Sequence, residues 1–167
     1  MTQESIIEIF PTGIYSELLN RFDKKIALEH ASNYYKNILK THPTIKPTLV
    51  GFKNIETKSN REYYKNYNSY LSGIFFQEVD ENDKIHFLKT KYKHIKPHVS
   101  NYNLYNSEAW WFNIRSNEIM LFPSYLNYDF ENVTGGLKKF TVFQIMFEGI
   151  GTSKIMETID KGEGIMI

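Results

Sequence analysis

Few side chains in this sequence could hold a metal or move a proton. Its 167 residues include no Cys and five His, at His30, His42, His86, His94 and His98. Thiolate sites and disulfides are therefore excluded. His94 and His98 stand at i,i+4, the spacing that brings two imidazoles onto one helical face. Pro97 lies between them and opposes a helix there, so both are read as solvated loop residues. His30 falls inside a predicted helix and His42 at its stop. His86 falls on a predicted strand, where a core or rim role is expected. Glu62, His86 and His98 could converge into a metal site, but nothing in their spacing requires it. No Gly-rich phosphate loop, nucleophile elbow or Cys/His cluster is present.

Aromatic residues are the other chemical resource: 12 Tyr, 12 Phe and 2 Trp. The segment Tyr63-Tyr64-Lys65-Asn66-Tyr67 interleaves basic and aromatic side chains, as single-strand nucleic-acid binders do. Lys and Arg number 20 against 19 Asp and Glu, a net charge of +1, so no bulk attraction to nucleic acid or anionic membrane is expected. We read the tyrosine segment as pocket wall. Strand alternation predicts one ring of Trp110-Trp111 inward and one at the rim. Stacking of a sugar or base on either ring is the competing reading.

The elements that would position these groups are mostly strands. Leu18 to Leu39 is the best helical stretch, with apolar positions Phe22, Ile26, Tyr34, Tyr35, Ile38 and Leu39, and it suits an amphipathic helix packed on a sheet. Thr41-His42-Pro43 stops it. Short β segments then follow: Leu49–Phe52, Leu71–Val79, Lys84–Leu88, Ala109–Ile114, Glu118–Phe122, Tyr128–Val133 and Lys139–Phe147. Asp80-Glu81-Asn82-Asp83 and Gly135-Gly136 read as turns between strands. The 89–108 loop is long for a compact domain and is expected to be functional or to cover an edge. A helix followed by many short strands predicts a mainly β sandwich or jelly roll, with the helix outside one sheet. We expect one domain over residues 1–149 and a tail over 150–167. The start of the chain lacks the basic, apolar pattern of a secretory signal. No apolar run approaches the ~20 residues of a membrane span, so an intracellular protein is expected.

Several segments together carry a resemblance. Ile9-Phe10-Pro11-Thr12-Gly13-Ile14-Tyr15, Asn68 to Phe76, Ile95-Lys96-Pro97 through Phe112, Ile119 to Ser124 and Phe140 to Gly149 are similar to segments of small iron(II)/2-oxoglutarate oxygenases. These belong to the prolyl-hydroxylase-like type common in tailed bacteriophage genomes. The resemblance spans residues 6–149 and implies a double-stranded β-helix (a jelly roll, cupin-like). That family holds iron with two His and usually one carboxylate, leaving sites open for cosubstrate and oxygen. Gapless matching puts Tyr64, Asn66 and Tyr128 at the three ligand positions. A phenol with a pKa of ~10 and an amide oxygen are poor Fe(II) donors. The family's Arg for the 2-oxoglutarate carboxylate matches Lys138 or Lys139, with Thr141 as the assisting hydroxyl. Lysine keeps the charge but loses the bidentate fork.

The resemblance therefore implies a catalytically inactive relative with no cofactor, acting as a binding or structural module in a larger assembly. Its partner would be a protein or a second copy, with a small anion in the vestigial pocket. The expected setting is host cytoplasm or a virion. The alternative is an active hydroxylase that uses Fe(II) and 2-oxoglutarate at a remodelled site.

Overall fold

A computed structural model describes residues 13–39, 46–59, 61–64, 69–88, 107 and 109–148, with the backbone alone at 61–64 and 148. The elements are β1 (Tyr15–Leu18), α1 (Lys24–Asn37), β2 (Lys46–Thr57), β3 (Arg61–Tyr64), β4 (Leu71–Glu78), β5 (Lys84–Leu88), β6 (Ala109–Asn113), β7 (Glu118–Pro123), β8 (Asn127–Glu131) and β9 (Lys138–Glu148). Two antiparallel sheets form a β-sandwich. One has the order β1-β7-β4-β9-β2 and the other β3-β8-β5-β6.

Alternation along the central strands builds two cores. Leu71, Phe75, Ile119, Leu121, Phe143 and Ile145 face the helix and meet Ala27, Ala31, Tyr34 and Tyr35. Ile74, Phe76, Met120, Phe122 and Phe140 face the second sheet and meet Ile85, Phe87, Tyr128 and Phe130. This double coverage explains why β4 is buried at each position from Leu71 to Phe76. A strand covered on both faces reads as a continuous apolar run.

The helix is shorter than its periodicity suggested. Leu18, expected to open it, instead ends β1, which pairs with β7 so that Tyr15 lies opposite Leu121 and Leu18 opposite Glu118. Ser16 donates a hydrogen bond to the buried Glu118 carboxylate and so ties down this edge. Asp23 caps the helix by accepting from the Ile26 N–H at 2.9 Å; such a cap satisfies one of the donors a helix start leaves open. Ala27 and Ala31 were not among the predicted contact positions, yet both are fully buried, whereas Ile38 is exposed. Small side chains let the helix approach the sheet while Tyr34 and Tyr35 supply the packing volume. Phe22, just before the cap, stacks on Phe75 with ring centroids 4.3 Å apart.

Gly73 permits the closest approach on this face. A Cβ there would lie 2.1 Å from Phe143 Cζ and 2.8 Å from Leu121 Cδ2. At the β4–β5 turn, Asp83 Oδ2 accepts from the Asp80 N–H at 3.1 Å and Asp80 Oδ1 from the Asn82 N–H at 2.9 Å. Between β8 and β9 the turn uses the positive φ of Gly135, 69°, which costs glycine little.

Candidate functional site

The inward-facing positions of the four-stranded sheet form a row across all four strands. Tyr64 lies in register with Tyr128, Tyr128 with Phe87, and Phe87 with Trp110. Two of the positions singled out in the sequence, 64 and 128, are thus direct cross-strand neighbours. The third, Asn66, lies outside the described residues, as do His42, His94 and His98.

Tyr128 is buried to 1 % exposure. Its ring meets Phe122 edge-on at 5.0 Å, Phe130 edge-on at 5.7 Å and Phe87 at 6.4 Å. Phe87 and Phe122 also pack edge-on at 4.9 Å. Edge-to-face packing of this kind aligns the positive rim of one ring with the negative face of the next. The ring at position 128 is therefore part of the core between the sheets.

A chain of hydroxyls borders this core. Ser124 Oγ lies 2.7 Å from Ser69 Oγ and 2.8 Å from Ser72 Oγ, and Ser72 is completely buried. Ser72 stands in register with Phe122 on one side and Gln144 on the other. Sequence reasoning missed this chain. Its only sequence signal was a serine at the end of one core segment and two more in another.

The cationic positions separate by strand parity. Lys138 shares its face with Phe140 and Val142, which look toward the second sheet. It is 2 % exposed, and its Nζ lies 3.6 Å from Asp83 Oδ1. Asp83 Oδ1 also accepts from the Val133 N–H at 3.1 Å. The pair thus joins the β4–β5 turn to the β8–β9 turn. Lys139 and Thr141 fall on the opposite face, with Phe143. Lys139 Nζ lies 2.7 Å from Glu78 Oε2, and that hydrogen bond holds the ammonium above its usual pKa. Thr141 donates to Asn54 Oδ1 at 2.7 Å. Lys138 and Thr141 therefore do not share a site, and the charge of each lysine is matched by a nearby carboxylate.

His86 pairs with Glu131 at 2.9 Å on the outer face of the four-stranded sheet. Glu62 stands in register with Phe130, so its position belongs to the inner face. His30 lies 3.0 Å from the Tyr15 hydroxyl, beside Glu17. Among the described residues no three His, Asp or Glu side chains converge. Both Trp rings are exposed, Trp110 by 45 % and Trp111 by 53 %. The predicted inward ring reaches the open margin because β6 is the last strand of its sheet.

These residues do not fit an iron and 2-oxoglutarate site. Position 128 carries a phenol embedded among phenylalanines, and the residue in register with it at position 64 is also a Tyr. Neither is a good Fe(II) donor near neutral pH. Lys138, the inward-facing candidate for the cosubstrate carboxylate, already faces a protein carboxylate. No helix among the described residues is long and apolar enough to cross a membrane. No protein-family model matches the chain, and the search of curated proteins finds no match.

Proposed function

We propose that this chain is a metal-free relative of the iron(II)/2-oxoglutarate oxygenases that works as a binding or structural module. The jelly-roll part of the reading draws support from strand order. From β2 onward the chain alternates between sheets, apart from the β5–β6 hairpin, and β2, β9, β4 and β7 lie side by side against β3, β8, β5 and β6. A double-stranded β-helix requires interleaving of this kind, and on that reading two of the ligand positions fall on paired strands of one sheet.

The observation that carries the loss of function is the environment of Tyr128. A ligand position must present a donor to an ion and leave room for cosubstrate. Here a ring fills the position, and three phenylalanines close around it. Redox catalysis cannot proceed without its cofactor, but a packed sandwich keeps its surfaces whatever happens to the pocket. The module then acts through those surfaces, on a protein partner or on itself.

The test is iron binding and cosubstrate turnover. Purified protein loaded anaerobically with Fe(II) is assayed for bound iron and, after admission of oxygen, for succinate formed from 2-oxoglutarate. We expect neither stoichiometric iron nor enzyme-dependent succinate. Stoichiometric iron with succinate production would establish the active hydroxylase instead.

A further inference from the structure

The four-stranded sheet ends at β6, and among the described residues no strand pairs with its outer side. The other three terminal strands carry charges: Glu17 on β1, Lys46, Lys53 and Glu56 on β2, and Arg61 and Glu62 on β3. Charged side chains, prolines and bulges are the usual guards against strand addition at an open edge. The β6 sequence Ala109-Trp110-Trp111-Phe112-Asn113 has no charge and no proline, and its register against β5 runs without a shift. It also holds both tryptophans of the chain, each about half exposed, on opposite faces of the strand.

We propose that β6 is a self-association edge, where two copies pair β6 to β6 antiparallel about a two-fold axis through Trp111. An isologous contact must be self-complementary, and this strand is. Centring on Trp111 places Trp110 of one copy beside Phe112 of the other, and Ala109 beside Asn113. Pairing about a residue, rather than between two, keeps inward positions with inward positions, because side chains alternate with a period of two. Trp110 then covers the margin where Phe112 packs against the core between the sheets. On the outer face the two Trp111 rings meet, each with the Lys84 ammonium 4.6 Å from its centroid. The result is a continuous eight-stranded sheet. A net charge of +1 per copy puts little repulsion in its way. This inference rests on the sheet edge and does not depend on what the pocket holds.

The two tryptophans make the edge visible, since no others contribute to emission. Sedimentation velocity and tryptophan emission are followed together while the unmodified protein is diluted through the micromolar range. We expect a dimer that dissociates on dilution, with the emission shifting to the red along the same curve. Trp111→Lys should sediment as a monomer throughout while keeping the circular dichroism of the parent. Val133→Lys, at an exposed site in the β8–β9 turn, should leave the dimer intact. A monomer at every concentration, a dimer whose dissociation leaves the emission unchanged, or a dimer that survives Trp111→Lys would each overturn the proposal.

Discussion

Truncating Tyr128 to alanine asks directly whether position 128 is core or cavity. The ring is 1 % exposed and touches three phenylalanine rings at centroid distances of 5.0, 5.7 and 6.4 Å. Removing a fully buried aromatic side chain costs about 3–5 kcal/mol, because the transfer term and the residual cavity add. Lost edge-to-face pairing adds about 0.5–1.5 kcal/mol for each well-placed ring, so the upper half of the first range is expected. Tyr128→Phe keeps the ring and removes only the hydroxyl, which should cost at most about 1.5 kcal/mol. Urea unfolding followed by far-ultraviolet circular dichroism measures both, with the denaturant slope checked for constancy. If Tyr128→Ala costs less than about 1 kcal/mol, below the range for a buried ring, the ring lines open space. The proposal that core packing occupies the position of a metal ligand would then be refuted.

Three further outcomes follow from the packing and charge arrangement. Gly73→Ala should destabilise by about 1–3 kcal/mol through overpacking, since Phe143 lies over the new methyl and is itself hemmed in by Phe22 and Phe52 at 5.4 and 6.4 Å. Adding Phe143→Leu should recover part of that loss in the same unfolding assay. Lys138→Ala leaves the buried Asp83 carboxylate without its cation and should cost about 3–5 kcal/mol, whereas Lys139→Ala, at an exposed pair, should not measurably shift the urea midpoint. Alkaline pH should weaken the fold through Tyr34, whose phenol is pushed up to about 12 chiefly by burial, with smaller contributions from Tyr125 and Tyr70. Below an unfolded value of about 10 both states keep the proton; between there and 12 the unfolded chain loses it first, so stability falls as pH rises. Tyr34→Phe should flatten that slope in urea titrations across the window, and an unchanged slope would count against the assignment.

Local signals made much of the fold legible. β-branched and aromatic runs bounded by Asp, Asn and Gly marked six of the nine strands within two residues at each end, Leu49–Phe52 marked only the middle of β2, and the Asp80–Asp83 and Gly135-Gly136 turns fall where expected. The start of the helix was misjudged because apolar periodicity continues through Leu18 and Phe22, although residues 15–18 hydrogen-bond to β7 and Asp23 provides the cap. β3 was legible as a polar, tyrosine-rich segment but not as a strand, since only its pairing with β8 makes it one.

The site divides along the same line. Residue types alone marked positions 64 and 128 as poor iron(II) donors, because a phenol keeps its proton up to a pKa of ~10 in water and burial only strengthens that hold. The absence of thiolate chemistry and the near balance of charge likewise follow from the amino-acid sequence alone. It could not say which lysine looks inward. That depends on the parity of β9 within its sheet, set by the register of Phe140 and Thr141 against β4. Nor could it bring Asp83 to Lys138, 55 residues apart in sequence and joined only when two turns meet at one end of the sandwich. The exposure of both tryptophans was likewise decided by tertiary structure: alternation assigns each ring to a face, but the strand order puts β6 at the margin, where neither face is fully covered.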